Sequence, residues 1–115
     1  MTTTSNLTGK QCKPCSEGGV RAPALPQDEI NALLKQLDGW ELQERLIGKT
    51  FEFKDFYQTM AFVNAVAWIS HRENHHPDFN VGYRKCRLEY STHAVNGLSE
   101  NDFICAAKVD ALLKA

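Results

Sequence analysis

The apolar residues of this chain alternate between helical and strand-like spacing, and this alternation restricts the fold more than any single motif does. A first helical stripe follows Pro26 and stops at Gly39; its members are Ile30, Leu33, Leu34 and Leu37. A second runs from Asp55 to about Asn74, and its apolar face includes Phe56, Met60, Val63 and Ala67. Pro77 is expected to end this second helix, because the residue before a proline favours extended geometry.

Two pairs of strands separate the predicted helices. The segment WELQERLIGKTFEF contains two short alternating runs joined by a tight turn, and FNVGY and CRLEYST form a second pair. The apolar residues of the last run point to one face: Cys86, Leu88 and Tyr90. A final helix begins at Ser99. The order α-β-β-α-β-β-α predicts a single α+β domain, with a four-stranded antiparallel sheet and helices packed on one face.

Length and composition exclude several classes of protein. A chain of 115 residues with 43% hydrophobic and 23% charged residues suits one small globular domain. The formal net charge of −1 gives no basis for a nucleic-acid-binding surface. No apolar run reaches the roughly 18 residues that a membrane span needs, and the first residues lack the apolar centre of a signal peptide. The expected location is the cytoplasm, with no membrane or nucleic-acid partner.

The first 25 residues differ in composition from the rest and are rich in Thr, Ser, Gly and Pro. They predict a mobile or loosely docked arm ahead of a domain at residues 26–115. Within the arm, Cys12 and Cys15 form a CKPC motif. A lone CxxC is compatible with two reduced thiols in a tail, with an ordered turn, or with half of a metal or redox site.

Three of the four histidines lie within HRENHHPDFN, residues 71–80. His71 and His75 have the i, i+4 spacing of metal ligands, but the glutamate does not directly follow the first histidine as the HExxH motif requires. A polar helix end is a second interpretation, since histidine is favourable near a helix C-terminus. The third is an acid–base pair: the predicted hairpin brings His75 and His93 to the same end of the sheet, and imidazole titrates near neutral pH. With Cys86 pointing inward no nucleophile is apparent, so an elimination fits better than acyl transfer.

The histidines also belong to a longer pattern. HHPDFNV at residues 75–81, STH at 91–93 and GLSEND at 97–102 resemble the pterin-4a-carbinolamine dehydratase family. That family has His-His-Pro, an aromatic residue soon after, a third histidine eighteen positions past the first, and an aspartate nine positions later. The matching residues here are His75, His76, Pro77, Phe79, His93 and Asp102. Weaker similarity extends back through DGW and FEFKDF, so the resemblance covers roughly residues 26–115.

The resemblance implies removal of water from a 4a-hydroxytetrahydropterin to give a quinonoid dihydropterin. His75 and His93 are then the acid–base candidates, and His76 helps to bind and orient the pterin. Substrate contacts are expected from Asn74, Ser91 and Thr92, with Phe79 either in the core or stacked on the pterin. The family uses no metal or organic cofactor and forms homodimers or homotetramers. Its substrate comes from an aromatic amino acid hydroxylase.

Some positions depart from the family pattern or have a second interpretation. His71 stands where many members have an acidic residue, and Asn74 replaces an aspartate. Ser99 and Asp102 have the spacing of a capping box, so Asp102 could begin the last helix, orient His93, or do both. Two other functions stay open: a protein-binding module, since some relatives are dimerisation partners of a transcription factor, and a small metalloprotein. The metal ligands in the latter would be His71, His75, Cys12 and Cys15.

Overall fold

The predicted order of helices and strands is confirmed in a computed structural model of the chain, which describes residues 7–13, 16–17, 20–21 and 23–114. The strands are β1 (Ser16–Glu17), β2 (Val20–Arg21), β3 (Glu41–Gln43), β4 (Leu46–Glu52), β5 (Asp78–Val81) and β6 (Lys85–Tyr90). The α-helices of the described range 23–114 are α1 (Gln27–Leu34), α2 (Phe56–Glu73) and α3 (Glu100–Leu112). The fold is therefore α+β, as expected.

The four long strands form one antiparallel sheet in the order β3-β4-β6-β5. Its central register pairs Phe51 with Cys86 and Ile47 with Tyr90. These four side chains are at most 4% exposed and share one core with apolar residues of α2 and α3. The outward residues of β6, such as Arg87 and Glu89, are only partly buried. The alternation in CRLEYST thus places the helices on one face of the sheet.

Both ends of α2 have local causes. Asp55 accepts a hydrogen bond from the Gln58 backbone N–H at 2.9 Å and caps the first turn. The helix ends at Asn74, which has a left-handed conformation with φ 54°. Asparagine tolerates this geometry better than most residues. The end of the helix therefore lies where predicted, with a left-handed cap before Pro77 is reached.

The first helix is shorter than its apolar stripe suggested. It ends at Leu34 rather than near Gly39, and the chain continues in tight turns. In these turns the backbone N–H groups of Gln36 and Leu37 donate to carbonyl groups three residues earlier, at 3.0 Å. The Leu37 side chain still packs against the core. In tight turns with hydrogen bonds three residues apart, the side chain of residue i+3 lies on nearly the same side as that of residue i, as it does in a helix.

Residues 7–13 of the N-terminal arm are docked on α3. The Leu7 side chain is 1% exposed and belongs to the core cluster. The Lys108 ammonium donates to the Thr8 carbonyl oxygen at 2.9 Å. Cys12 lies in this docked segment, whereas Cys15 is outside the described residues. No helix in the described part of the chain is long and apolar enough to cross a membrane.

A polar contact ties the first hairpin to the last helix, and it generates a stability prediction. The Asp110 carboxylate accepts from Trp40 Nε1 at 3.1 Å and from Lys49 Nζ at 2.9 Å. Asp110→Ala leaves both donors without this acceptor and should lower the free energy of unfolding by about 1–3 kcal/mol, measured by urea denaturation. Glu41→Ala, at an exposed site, should change it by less than about 0.5 kcal/mol. Equal effects of the two substitutions would contradict this role for Asp110.

Candidate functional site

A cavity of about 290 Å³ opens where α2 ends and β6 ends, at one end of the sheet. Its lining includes six of the eight residues singled out from the sequence: Asn74, His75, His76, Ser91, Thr92 and His93. The turn after α2 supplies the first three, and the chain after β6 supplies the others. Because β5 and β6 are antiparallel neighbours, the start of one and the end of the other meet at this edge.

Asp102, the seventh, lies behind the cavity as a fully buried carboxylate. One oxygen, Oδ1, is 2.6 Å from Nε2 of His75. The other, Oδ2, accepts from the Thr92 hydroxyl at 2.8 Å and from the Ser99 backbone N–H at 3.0 Å. Ser99 and Asp102 therefore form the predicted capping box, and the same carboxylate also contacts a histidine. The histidine that Asp102 contacts directly is His75, whereas the sequence had suggested His93 as a possible partner.

Contacts with several neighbouring residues fix the position of His75. Its backbone N–H donates to the Ser70 carbonyl at 3.2 Å, just after the left-handed turn at Asn74. Its ring stacks on Tyr90 with centroids 6.0 Å apart and planes within 9°. Since Asp102 accepts from its other partners, His75 Nε2 is assigned as the donor N–H in this contact. In the neutral imidazole Nδ1 is then the acceptor nitrogen.

His93 and His76 are held less tightly. His93 is exposed and begins a short 3-10 helix, His93–Val95, which the Thr92–Gly97 backbone pairing closes. It lies between the cavity and a wider depression of about 660 Å³ beside the β3–β4 turn, whose lining it shares. His76 is also exposed, with Nδ1 3.2 Å from the Pro77 carbonyl oxygen. These two imidazoles therefore face solvent-accessible space, whereas His75 is mostly enclosed.

The remaining candidates lie elsewhere. Phe79 is on the edge strand β5, paired with Leu88 and 37% exposed, and it does not line the cavity. His71 is exposed and lies against the Trp68 ring, with centroids 5.9 Å apart. Among the described residues, no three His, Cys, Asp or Glu side chains are grouped so that they could hold a metal ion. The described residues therefore give the metalloprotein interpretation no site, while Cys15 lies outside them.

Three charged residues that the sequence did not single out also line the cavity: Lys13, Asp78 and Glu89. Asp78 and Glu89 are register partners on adjacent strands. Alternation along β6 places Glu89 on the face of the sheet opposite to Leu88 and Tyr90. The sequence pattern could therefore have indicated on which face Glu89 lies. No sequence pattern indicated Lys13, because it lies about sixty residues before the histidines in a polar arm.

Tyr90, beside His75, is a neutral ring rather than an acid. Burial raises the pKa of its hydroxyl, and the neighbouring Cys105, Cys12 and Asp102 act in the same direction. Within the described residues its hydroxyl has no hydrogen-bond partner. The contribution of Tyr90 to the site is therefore the flat surface against which the imidazole stacks.

The chain is similar to one family throughout its main domain. The sequence model of the pterin 4 alpha carbinolamine dehydratase family matches residues 23–112. A protein of Nitrosospira multiformis, provisionally named a pterin-4-alpha-carbinolamine dehydratase, is 64% identical over 98% of this chain and 97% of its own length. A protein of Nitrosomonas europaea with the same provisional name is 63% identical, with both chains covered completely.

Two solved structures share the fold. One, from Brucella melitensis, is described as a transcriptional coactivator/pterin dehydratase; it is 31% identical with a TM-score of 0.76, over 79% of this chain and 99% of its own. The second is a pterin dehydratase-like protein identified as a RuBisCO assembly factor in the alpha-carboxysome. It is 28% identical with a TM-score of 0.59, over 68% of this chain and 93% of its own.

The buried carboxylate generates a second stability prediction. Asp102→Ala removes the helix cap and the acceptor for the Thr92 hydroxyl and the His75 ring, so the free energy of unfolding should fall by about 2–4 kcal/mol. Glu100→Ala is the matched control in the same helical turn. Its ion pair with Lys10 is half-exposed, and its loss should cost less than about 1 kcal/mol. Urea unfolding checks both, and a change below 1 kcal/mol for Asp102→Ala would contradict the assigned contacts.

Proposed function

This chain belongs to the pterin-4a-carbinolamine dehydratase family, a family of hydro-lyases, and from that premise we propose that it dehydrates a 4a-hydroxytetrahydropterin by histidine acid–base catalysis. The observation that carries the proposal is the His75–Asp102 contact of 2.6 Å in a cavity that His93 also lines. A bicyclic pterin is a reasonable occupant, because cavities for small ligands begin at about 300 Å³. Three imidazoles of different exposure face this space.

His75 is the proposed base. Its Nε2–H is engaged by Asp102, so Nδ1 is available to take the proton from N5 of the pterin. The imidazolium that forms is stabilised by the buried carboxylate beside it, which has no other cation among its described partners. Asp102 is thus a positioning residue that also compensates the charge developing on His75.

His93 is the proposed acid. It donates a proton to the 4a-oxygen as the C4a–O bond breaks, and that oxygen leaves as water. The electron pair of the N5–H bond forms the C4a=N5 double bond as His75 takes the proton. The products are one water and one quinonoid dihydropterin, and exchange with solvent returns both histidines to their starting states. The exposure of His93 suits a group that must be reprotonated in each turnover.

The other residues of the cavity are proposed to bind and orient the substrate. His76, Asn74 and Ser91 line it with side chains that can donate and accept hydrogen bonds. Thr92 has a different part, because its hydroxyl already contacts Asp102 and Ser99. We propose that Thr92 acts on the substrate only through its neighbours.

The physiological setting follows from the reaction. A dehydratase of this kind would return the quinonoid dihydropterin to the pool from which tetrahydropterin is regenerated. We propose that it serves an aromatic amino acid hydroxylase, the class of enzyme that produces the 4a-hydroxy compound, in the cytoplasm.

We also propose that the chain forms a homodimer or homotetramer. β5 is an edge strand whose four residues are all exposed, so its outer backbone groups can pair with another strand. Exposed aromatic side chains adjoin it, Tyr83 at 66% and Phe56 at 46% exposure. Light scattering after gel filtration should give twice or four times the 13.0 kDa chain mass. Val81→Pro removes a backbone N–H on the outer side of β5, since the inward hydrogen bonds of this hairpin are made by Gly82 and the alternate residues before it, and should shift the distribution towards smaller species. A monomer at micromolar concentration would overturn the proposal.

The acid–base pair is tested by the dehydration rate of freshly generated 4a-hydroxytetrahydropterin, followed by ultraviolet absorbance. Wild type should accelerate it, and His75→Ala and His93→Ala should each lower kcat by about 10²-fold or more, as expected for a lost acid or base. His71→Ala is the matched control: this exposed histidine ends the same helix but lies outside the cavity, and activity should stay within about twofold of wild type.

Circular dichroism must show that each variant is folded. A loss of less than about tenfold in either His75→Ala or His93→Ala would remove that residue from the acid–base pair. If folded wild type gives no acceleration, the enzyme proposal fails and a protein-binding role becomes the better account.

A further inference from the structure

We propose that the docked N-terminal arm is part of the pterin site and that Lys13 is a substrate-binding residue. The family match begins at residue 23, so the arm lies outside the part of the chain that the family model describes. Lys13 nevertheless lines the same cavity as His75 and His93. The inference rests on the proposed function, and it adds to that function a residue and a polar contact for the substrate.

The arm reaches the cavity through contacts with the core, with α3 and with the end of α2. Leu7 is buried in the core, and the Thr8 carbonyl is held by Lys108. Further along, the Cys12 backbone N–H donates to Glu73 Oε1 at 2.8 Å, at the end of α2. The Cys12 and Cys105 sulfur atoms are 3.5 Å apart. Contacts at both ends of the segment restrict where the next residue can lie.

Lys13 itself is positioned through its backbone. Its N–H donates to Asn101 Oδ1 at 3.0 Å, and its carbonyl oxygen accepts from Asn101 Nδ2 at 2.6 Å. One amide side chain therefore satisfies both backbone groups of Lys13, in the manner of a strand pair. Asn101 is 8% exposed and directly precedes Asp102. The same helical turn that holds the proposed base thus holds the backbone of Lys13.

The charge of the lining gives Lys13 a distinct role. The lining contains two carboxylic side chains, Asp78 and Glu89, and three imidazoles. Lys13 is the only lysine or arginine among the residues that line this cavity in the described part of the chain. An ammonium group is a donor without acceptor capacity. Its partner on a pterin is an acceptor atom, either on the ring, where the carbonyl oxygen and the unprotonated ring nitrogens qualify, or a hydroxyl oxygen of the 6-substituent.

The test compares Lys13→Met with wild type in the dehydration assay. Methionine keeps an unbranched stem and the backbone contacts but removes the ammonium. KM should rise about 10- to 150-fold, the effect of losing a hydrogen bond to a charged group, while kcat stays within about twofold. Lys13→Arg should restore most of the affinity. The matched control is Lys10→Met, on the same arm, where the lysine pairs with Glu100 and does not line the cavity.

Two substrates distinguish an acceptor on the ring from one on the side chain. If Lys13 binds a hydroxyl of the side chain, the rise in KM should be seen with the tetrahydrobiopterin carbinolamine and not with the 6-methyl analogue. If it binds an acceptor of the ring, both substrates should lose affinity alike. A change in KM below about twofold for both substrates overturns the proposal.

Docking of the arm is followed separately through Cys12. The Cys105 thiol and burial raise the pKa of the Cys12 thiol, so it stays protonated and should react with iodoacetamide far more slowly than in urea. In a Cys15→Ser background this slow rate should persist in Lys13→Met. Fast alkylation in that variant would mean that Lys13 docks the arm instead of binding the pterin, and would overturn the proposal.

A failure of the dehydratase proposal is recognisable on its own, because wild type would then be inactive. In that case binding of 7,8-dihydrobiopterin, measured by calorimetry, decides the role of Lys13. Weaker binding by Lys13→Met than by wild type and Lys10→Met supports a pterin contact. No pterin binding by wild type, or equal binding by all three, overturns it.

Discussion

The arrangement of the site depends on one buried carboxylate. Asp102 is fully excluded from solvent, and burial of an ionised group is costly unless polar partners surround it. Its partners come from three parts of the chain: His75 after α2, Thr92 after β6, and Ser99 at the start of α3. Each of these segments must be in place for the carboxylate to be satisfied. The same contacts that stabilise the folded state therefore set the geometry of the cavity.

The first turn of α3 has a wider organising role. Ser99 begins it, Asn101 binds the backbone of Lys13, and Asp102 binds His75. Further along, Cys105 contacts the Cys12 thiol and its own Sγ lies 3.9 Å from the His75 carbonyl oxygen. Successive residues of a helix point in different directions, which lets a single turn contact the arm on one side and the histidine on another. Displacement of this turn would disturb both together.

Much of the fold could be predicted from local sequence. The long helix ending at Asn74, the inward alternation of Cys86, Leu88 and Tyr90, and the Ser99 helix start are all present. These features depend on periodicity and on end residues, which act over a few positions. The exact end of α1 was not predictable, because the apolar stripe continues to Leu37 while the backbone changes from helix to tight turns. Packing, not spacing, decides between those conformations.

The sequence by itself determined the chemical groups and their approximate location: an α+β domain with His75, His76 and His93 gathered at one end of a hairpin. Tertiary structure decided which groups touch. It joined Asp102 to His75 rather than to His93, left Phe79 on an exposed strand edge, and brought Lys13 to the cavity. The physical reason is that residue spacing specifies direction only within one helix or strand. Contacts between elements depend on how their faces pack, and a docked arm has no period that would reveal its destination.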